Sequence, residues 1–420
     1  MLDQNFSPAN LEKYIYSRSD LIRLRLGRSE TERRKILTSL SYRVEGVFSF
    51  SNLRTRKIGG RLVHTPNDGA ETLLLRKLND NIVRIFGVRQ CNRADTTKQI
   101  YTLLQEANPM SVVRLDVKGF YEHIELSDTL KPIYNSTVLS PTSKKLLKAI
   151  EFDPRFVNRL PRGINISAAL SELKMRSFDR AVAELEHVYF YARYVDDIFI
   201  FSYKTELDLN EITCLLPKGL YVNREKSYVK KVHCRNLDNK KNNPCVSSCK
   251  CKPDASLDHA AEYLGYEYRF SDVPYAKKGS PRKIQITLSQ RKIQKIKTRV
   301  VKSFLSHVQN PDIDLLESRL RFLTGNCEFE VKGGLTVRSG LAYNFPLLQH
   351  DDASLSELTT FLRKLVHCKR GSMGAKLSLV LTGSARARLG KLSFVSGHRN
   401  KITYRFSETT LAAIKGCWAK

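Results

Sequence analysis

Two adjacent carboxylates, Asp196 and Asp197, stand between two strongly apolar runs, Tyr189 to Val195 and Ile198 to Phe201. Such runs read as β-strands, and an acidic pair between them makes sense at the turn of a hairpin. Neighbouring like charges raise each other's pKa, and a bound divalent cation removes that repulsion. A third acid, Asp116, closes another β-type run, Ser111-Val112-Val113-Arg114-Leu115. Three carboxylates from two neighbouring strands can hold two Mg²⁺ ions about 4 Å apart, in the manner of sites that displace groups at phosphorus. The plainer alternative for Asp116 is that it caps the next element.

A second cluster carries softer ligands. His233, Cys234, Cys245, Cys249 and Cys251 fall within 19 residues of a Lys/Asn-rich stretch. Four thiols and an imidazole are enough for zinc, but the paired CxxC spacing common in zinc sites is missing. The segment reads either as a zinc site of Cys234, Cys245, Cys249 and Cys251 or as a reduced, unliganded insertion loop.

The elements that must position these residues are a few strands with helices laid on them, an α+β pattern. Ser7-Pro8 opens a short helix, and Ser29 with Glu32 forms a capping box before Ile36, Leu37 and Leu40. Thr65 to Gly69 reads as a turn before a helix from about Glu71 to Ile85. Ser167 to Leu185 reads as a helix with Leu170, Leu173, Phe178, Ala181 and Leu185 near one face. After about residue 272 the pattern turns helical and basic, with Ile293, Ile296, Val300, Phe304 and Val308 as an apolar face.

Composition bounds the partners. The 420 residues carry 71 Lys+Arg against 42 Asp+Glu, a formal net charge of +29. Ten cations and no acid lie between Val273 and Pro311, and eleven more with no acid between Thr359 and Ser407. Helices of one sign repel themselves unless something anionic neutralises them, so a nucleic acid or an anionic membrane surface is implied. No apolar window approaches the roughly 18 residues of a membrane span, and the first residues do not read as a signal peptide. Nine Cys without a secretory signal make a disulfide framework improbable and the cytosol the expected location. The 41% hydrophobic content allows a sizeable core, and the length suits roughly two to four domains.

With these residues in view, the chain resembles the reverse transcriptases, specifically the bacterial branch, over about Lys57 to Phe270. Seven segments match in the family's order. Arg61-Leu62-Val63-His64-Thr65-Pro66 and Phe86-Gly87-Val88-Arg89 through Arg93 and Lys98 look like fingers elements. Leu115 to Ile124 and Leu160 to Ser167, followed by Leu170-Ser171, look like the first two palm motifs. Tyr194-Val195-Asp196-Asp197 is similar to the YxDD box, Asn223 to Ser227 to the motif with a palm Lys, and Tyr263-Leu264-Gly265-Tyr266 to the primer grip.

The resemblance implies a right-hand polymerase fold with an RRM-like palm, and RNA-directed DNA synthesis. Asp116, Asp196 and Asp197, with the Val117 carbonyl, would bind two Mg²⁺ or Mn²⁺ ions. Tyr121 would be the steric gate against ribonucleotides, beside Phe120; an ordinary core tyrosine is the alternative. Arg61, Phe120, Arg162, Gly163 and Lys226 would meet the nucleotide. Two positions depart from the family: Arg162 stands where Gln is usual, and Ala168 where Pro is usual. A fixed cation at 162 could bind triphosphate or template more strongly. The implied domains are fingers within 1–110, a palm over 111–270 with a further fingers segment near 128–160 and the Cys-rich insertion at 233–258, a basic helical thumb over 271–345, and an unassigned basic extension over 346–420.

No endonuclease domain or RNase H-like acid set is evident. The opening Leu2-Asp3-Gln4-Asn5-Phe6-Ser7 and the length resemble the smaller type of class 3 defence-associated reverse transcriptases. That finer resemblance implies a bacterial cytoplasmic enzyme of phage defence, a non-coding RNA template, and a second reverse transcriptase subunit within a higher oligomer. Template-independent or protein-primed synthesis, and a retron or group II intron type enzyme, are the alternatives. A non-enzymatic RNA-binding scaffold fits poorly with three intact acids.

Overall fold

The structure, a computed structural model, describes residues 2–16, 18–50, 53–106, 110–204, 206–232, 257, 259–271, 282–330, 336–349 and 352–418. The chain clusters into two compact units. The first is built from Met1–Cys91 and Met110–Lys231, the second from Asn92–Pro109, Val232–Glu330 and Leu335–Lys420.

In the first unit, strands β1 (Leu53–Ile58) and β2 (Arg61–Pro66) form an antiparallel hairpin. Its two-residue loop is Gly59-Gly60, both at positive φ, which glycine reaches without steric cost. A four-stranded sheet follows, made of β3 (Met110–Asp116), β4 (Val188–Tyr194), β5 (Asp197–Ser202) and β6 (Tyr228–Val232), in the order β4-β5-β3-β6. The two central strands, β3 and β5, are almost wholly buried, which is why they read as continuous apolar runs rather than as alternation. The helix Ile166–Ala183 lies on β4 and packs against the helix Gly69–Ile85. It buries Leu170, Met175, Phe178 and Val182 in the core, each contributing about 1.5–3 kcal/mol by removal from water. It ends two residues before Leu185, so that side chain packs from the following turn instead. The expected caps are present: Ser29 and Glu32 bond reciprocally at the helix Glu30–Glu45, and Ser7 caps Pro8–Glu12.

In the second unit, β7 (His259–Tyr263), β8 (Tyr266–Phe270) and β9 (Ile284–Leu288) form an antiparallel sheet. The helix Gln290–Gln309 packs against Ile313–Thr324 and Ala353–Val366 and buries Ile293, Ile296, Val300 and Phe304. A second small sheet joins β10 (Asn326–Glu330) to β11 (Thr336–Gly340) and, in parallel, to β12 (Thr403–Tyr404). The reading of the chain after 272 as helical therefore needs correcting. Ile284-Gln285-Ile286-Thr287-Leu288 alternates with period two and pairs with β8, but five residues flanked by basic helix hide that signal. Residues beyond 345 pack within this same unit. No helix among the described residues is long and apolar enough to cross a membrane.

Candidate active site

Val195 and Asp196 of the YVDD segment form the two-residue connection between β4 and β5, with Tyr194 paired to Asp197. Val195 lies in the left-handed region at φ 61°, which costs an L-residue roughly 1–2 kcal/mol and is worse for a β-branched one. Arg193 opposes that strain. Its Nη1 donates to the Val195 carbonyl at 3.1 Å, while the same guanidinium reaches Glu172 (2.6 Å) and Asp179 (2.7 Å) on the helix Ile166–Ala183. The Tyr191 hydroxyl donates to Asp179 at 2.6 Å, completing a half-buried network behind the turn.

Strand β3 carries the third acid to the same place. Asp116 is the register partner of Asp197, and the Val117 N–H donates to the Asp196 carbonyl at 3.0 Å. All three acids thus lie at one end of the central strand pair. Burial raises the Asp196 carboxyl above its usual range, and the nearby Asp116 charge adds to the rise. Burial pushes Asp197 up to about 6, against the pull of Arg114. Two cations partly neutralise the group. Lys226 Nζ lies 3.1 and 3.3 Å from the Asp116 oxygens, and Arg114 donates to Asp197 at 3.2 and 3.4 Å. Half-buried hard oxygens repelling one another are the donor chemistry expected for Mg²⁺, although here Arg114 and Lys226 occupy Asp197 and Asp116 in its place. The Asp116 N–H donates to the Ser227 hydroxyl at 3.1 Å, which ties the expected lysine motif to this strand.

Tyr121 sits in the short helix Phe120–His123 directly after β3. Its hydroxyl is held by Ser171, and the Arg162 guanidinium lies over its ring at 4.8 Å. Arg162 forms a two-point ion pair with Glu122, at 3.1 and 3.2 Å. Gly163 has φ 97°, and a Cβ there would stand 2.5 Å from the His64 carbonyl oxygen. Strand β2 is therefore one close neighbour that requires glycine here, beside the nucleotide approach expected from the sequence. Phe120, expected beside the nucleotide, is 1% exposed and packs in the core. Arg61 is exposed at the start of β2, and the His64 N–H joins that strand to the Arg162 carbonyl at 2.7 Å.

The Tyr263 to Tyr266 segment is the β7–β8 turn in the second unit, with both tyrosine rings fully buried and Leu264-Gly265 at the tip. Arg93 clasps this tip by donating to the Leu264 carbonyl and to that of Asn344, each at 2.6 Å. His233, Cys234, Cys245, Cys249 and Cys251 lie outside the described residues. Among the described residues no group of three or more His, Cys, Asp or Glu side chains, Asp116, Asp196 and Asp197 included, is assembled closely enough to hold a metal ion as it stands.

Sequence reasoning missed Arg114, Arg193 and Arg93. Arg114 was legible, since position i−2 on a strand shares a face with Asp116. Arg193 had a weaker signal, an arginine inside an apolar strand with Glu172 and Asp179 seven residues apart on one helix face.

No curated protein matches the chain. Residues 69–268, which contain the three carboxylates, Lys226 and both turns, match the family model described as reverse transcriptase (RNA-dependent DNA polymerase).

Proposed function

We propose that this protein is a bacterial reverse transcriptase that extends a 3′-hydroxyl with deoxynucleotides on an RNA template. The observation that carries the reading is that the family match coincides with three carboxylates gathered at one end of β3 and β5. Asp116, Asp196, Asp197 and the Val117 carbonyl would hold two Mg²⁺ or Mn²⁺ ions. When bound, that pair lowers the pKa of the primer hydroxyl and neutralises the leaving pyrophosphate. Lys226, already beside Asp116, is placed to give pyrophosphate a proton, and the exposed Arg61 supplies charge to the triphosphate. The Tyr121 ring would crowd a 2′-hydroxyl and favour deoxynucleotides. The Tyr263 to Tyr266 turn would hold the primer strand, and the basic stretches of the second unit the duplex backbone.

In this reading 1–110 contains fingers, 111–270 is palm, 271–345 thumb, and 346–420 an extension. The finer assignment is to cytoplasmic antiviral defence, with a non-coding RNA as template and a second reverse transcriptase as partner. Its support is the resemblance of the Leu2 to Ser7 segment.

The test is primer extension on defined RNA, with Asp196→Asn/Asp197→Asn as control. Incorporation should be templated and should vanish in the double variant. Unchanged incorporation in that variant would sink the metal assignment, and random-sequence product made without RNA would favour template-independent synthesis. Sequencing nucleic acid that co-purifies with the protein checks the template class.

A further inference from the structure

The departure at Arg162 has a structural counterpart. An arginine free to take a triphosphate would project without a counter-ion. Here the guanidinium is engaged on two sides. Its edge makes the fork-shaped pair with Glu122, and its flat face covers Tyr121 at 4.8 Å. Glu122 directly follows Tyr121, so the three side chains form a closed loop. The backbone on both sides of the loop is fixed. The Arg162 carbonyl accepts from His64 on β2, and the His123 N–H donates to Gly119 across the short helix. Tyr121 is also met at its hydroxyl by Ser171 and edge-on by Phe120 at 5.5 Å.

A ring that excludes a hydroxyl by sterics works only if it cannot swing aside. Discrimination by crowding scales with the cost of moving the obstacle. The guanidinium over the ring, itself pinned by Glu122, raises that cost. We propose that Arg162 and Glu122 are positioning residues that hold the Tyr121 ring and so set how strictly this chain excludes ribonucleotides. The proposal rests on the polymerase reading and on Tyr121 as the sugar-facing residue. It differs from the expectation that Arg162 binds triphosphate or template.

Single-nucleotide extension of a primed RNA oligonucleotide tests it, with kcat/KM measured for each dNTP and the matching rNTP. The proteins are wild type, Arg162→Gln, Glu122→Gln, Tyr121→Ala and the double variant Tyr121→Ala/Arg162→Gln. Arg162 and Glu122 are partly exposed, so these variants should fold, which thermal melting checks. Arg162→Gln and Glu122→Gln should each lower the dNTP/rNTP ratio about three- to tenfold, mainly by raising rNTP use. Tyr121→Ala should lower it further, and the double variant should be no worse than Tyr121→Ala, because the arginine acts through the ring. If Tyr121→Ala relaxes sugar choice and Arg162→Gln does not, this proposal alone falls. If Arg162→Gln raises KM equally for both sugars, the arginine serves the triphosphate and the proposal is overturned. Unchanged sugar choice in Tyr121→Ala overturns the gate and the proposal with it, and a wild-type chain that extends no primer overturns the polymerase reading itself.

Discussion

Asp197 meets two opposing influences, burial that favours its neutral form and Arg114 that favours its charge, and burial prevails. Its folded pKa of about 6 exceeds the ordinary carboxylate value, so the folded state binds the extra proton. The sign follows from linkage: without metal, stability is lost as pH rises through that value, because ionising a half-buried acid opposes folding. Asp197→Asn should therefore raise the melting temperature at pH 7.5 in EDTA, with the gain shrinking toward pH 4. Added Mg²⁺ should stabilise wild type more than the variant, since a ligand that binds only the folded state adds stability. Equal melting of the two proteins in EDTA at pH 7.5 would contradict this account. The three acids were legible in the sequence because their flanking strands are so apolar. Arg114 could be read from its place two residues before Asp116 on the same strand face, but the pairing of Lys226 with Asp116 could not, since 110 residues separate them.

At the scale of elements, two turns share a device. Val195 and Leu264 are both non-glycine residues at positive φ, and each carbonyl accepts from an arginine, Arg193 and Arg93 respectively. An arginine here offsets a backbone strain that glycine would avoid, and it keeps the turn in one conformation. Arg193 also satisfies Glu172 and Asp179, so Arg193→Met strands two half-buried acids. That variant should lose about 3–5 kcal/mol in urea unfolding, whereas a loss below about 1 kcal/mol would show that the network is dispensable. The hairpin around Asp196 and Asp197 was readable as two apolar runs with an acidic break. Strand β9 was not, because five alternating residues inside a basic region carry little weight. The two-residue β12 is below what any periodicity can register.

At the scale of the molecule, the charge of +29 is unevenly spread along the chain, with the acid-free stretches in the second unit and the three clustered acids in the first. Lys297, Arg388 and Arg405 pair with Glu357, Asp314 and Glu328, but the cations of these stretches outnumber such acids, and an excess of that kind suits a phosphate backbone, whose binding releases counterions. Affinity for an RNA–DNA duplex should fall about 10³-fold or more between 50 and 200 mM salt, which fluorescence anisotropy can follow. A nearly flat salt response would mean that the basic stretches do not hold nucleic acid. The sheet of β10, β11 and β12 has a different consequence. Strand β10 is its middle strand, and β12 comes from near the far end of the chain. The Asn326 amide also donates to the carbonyls of Gly397 and Ile402. Cutting the chain before Thr403 would bare one edge of β10, and a bare edge is a template for pairing with another chain. Trimming the tail would thus uncover β10 at Asn326 and Cys327, and the shortened protein should self-associate before the acid cluster of the first unit is disturbed.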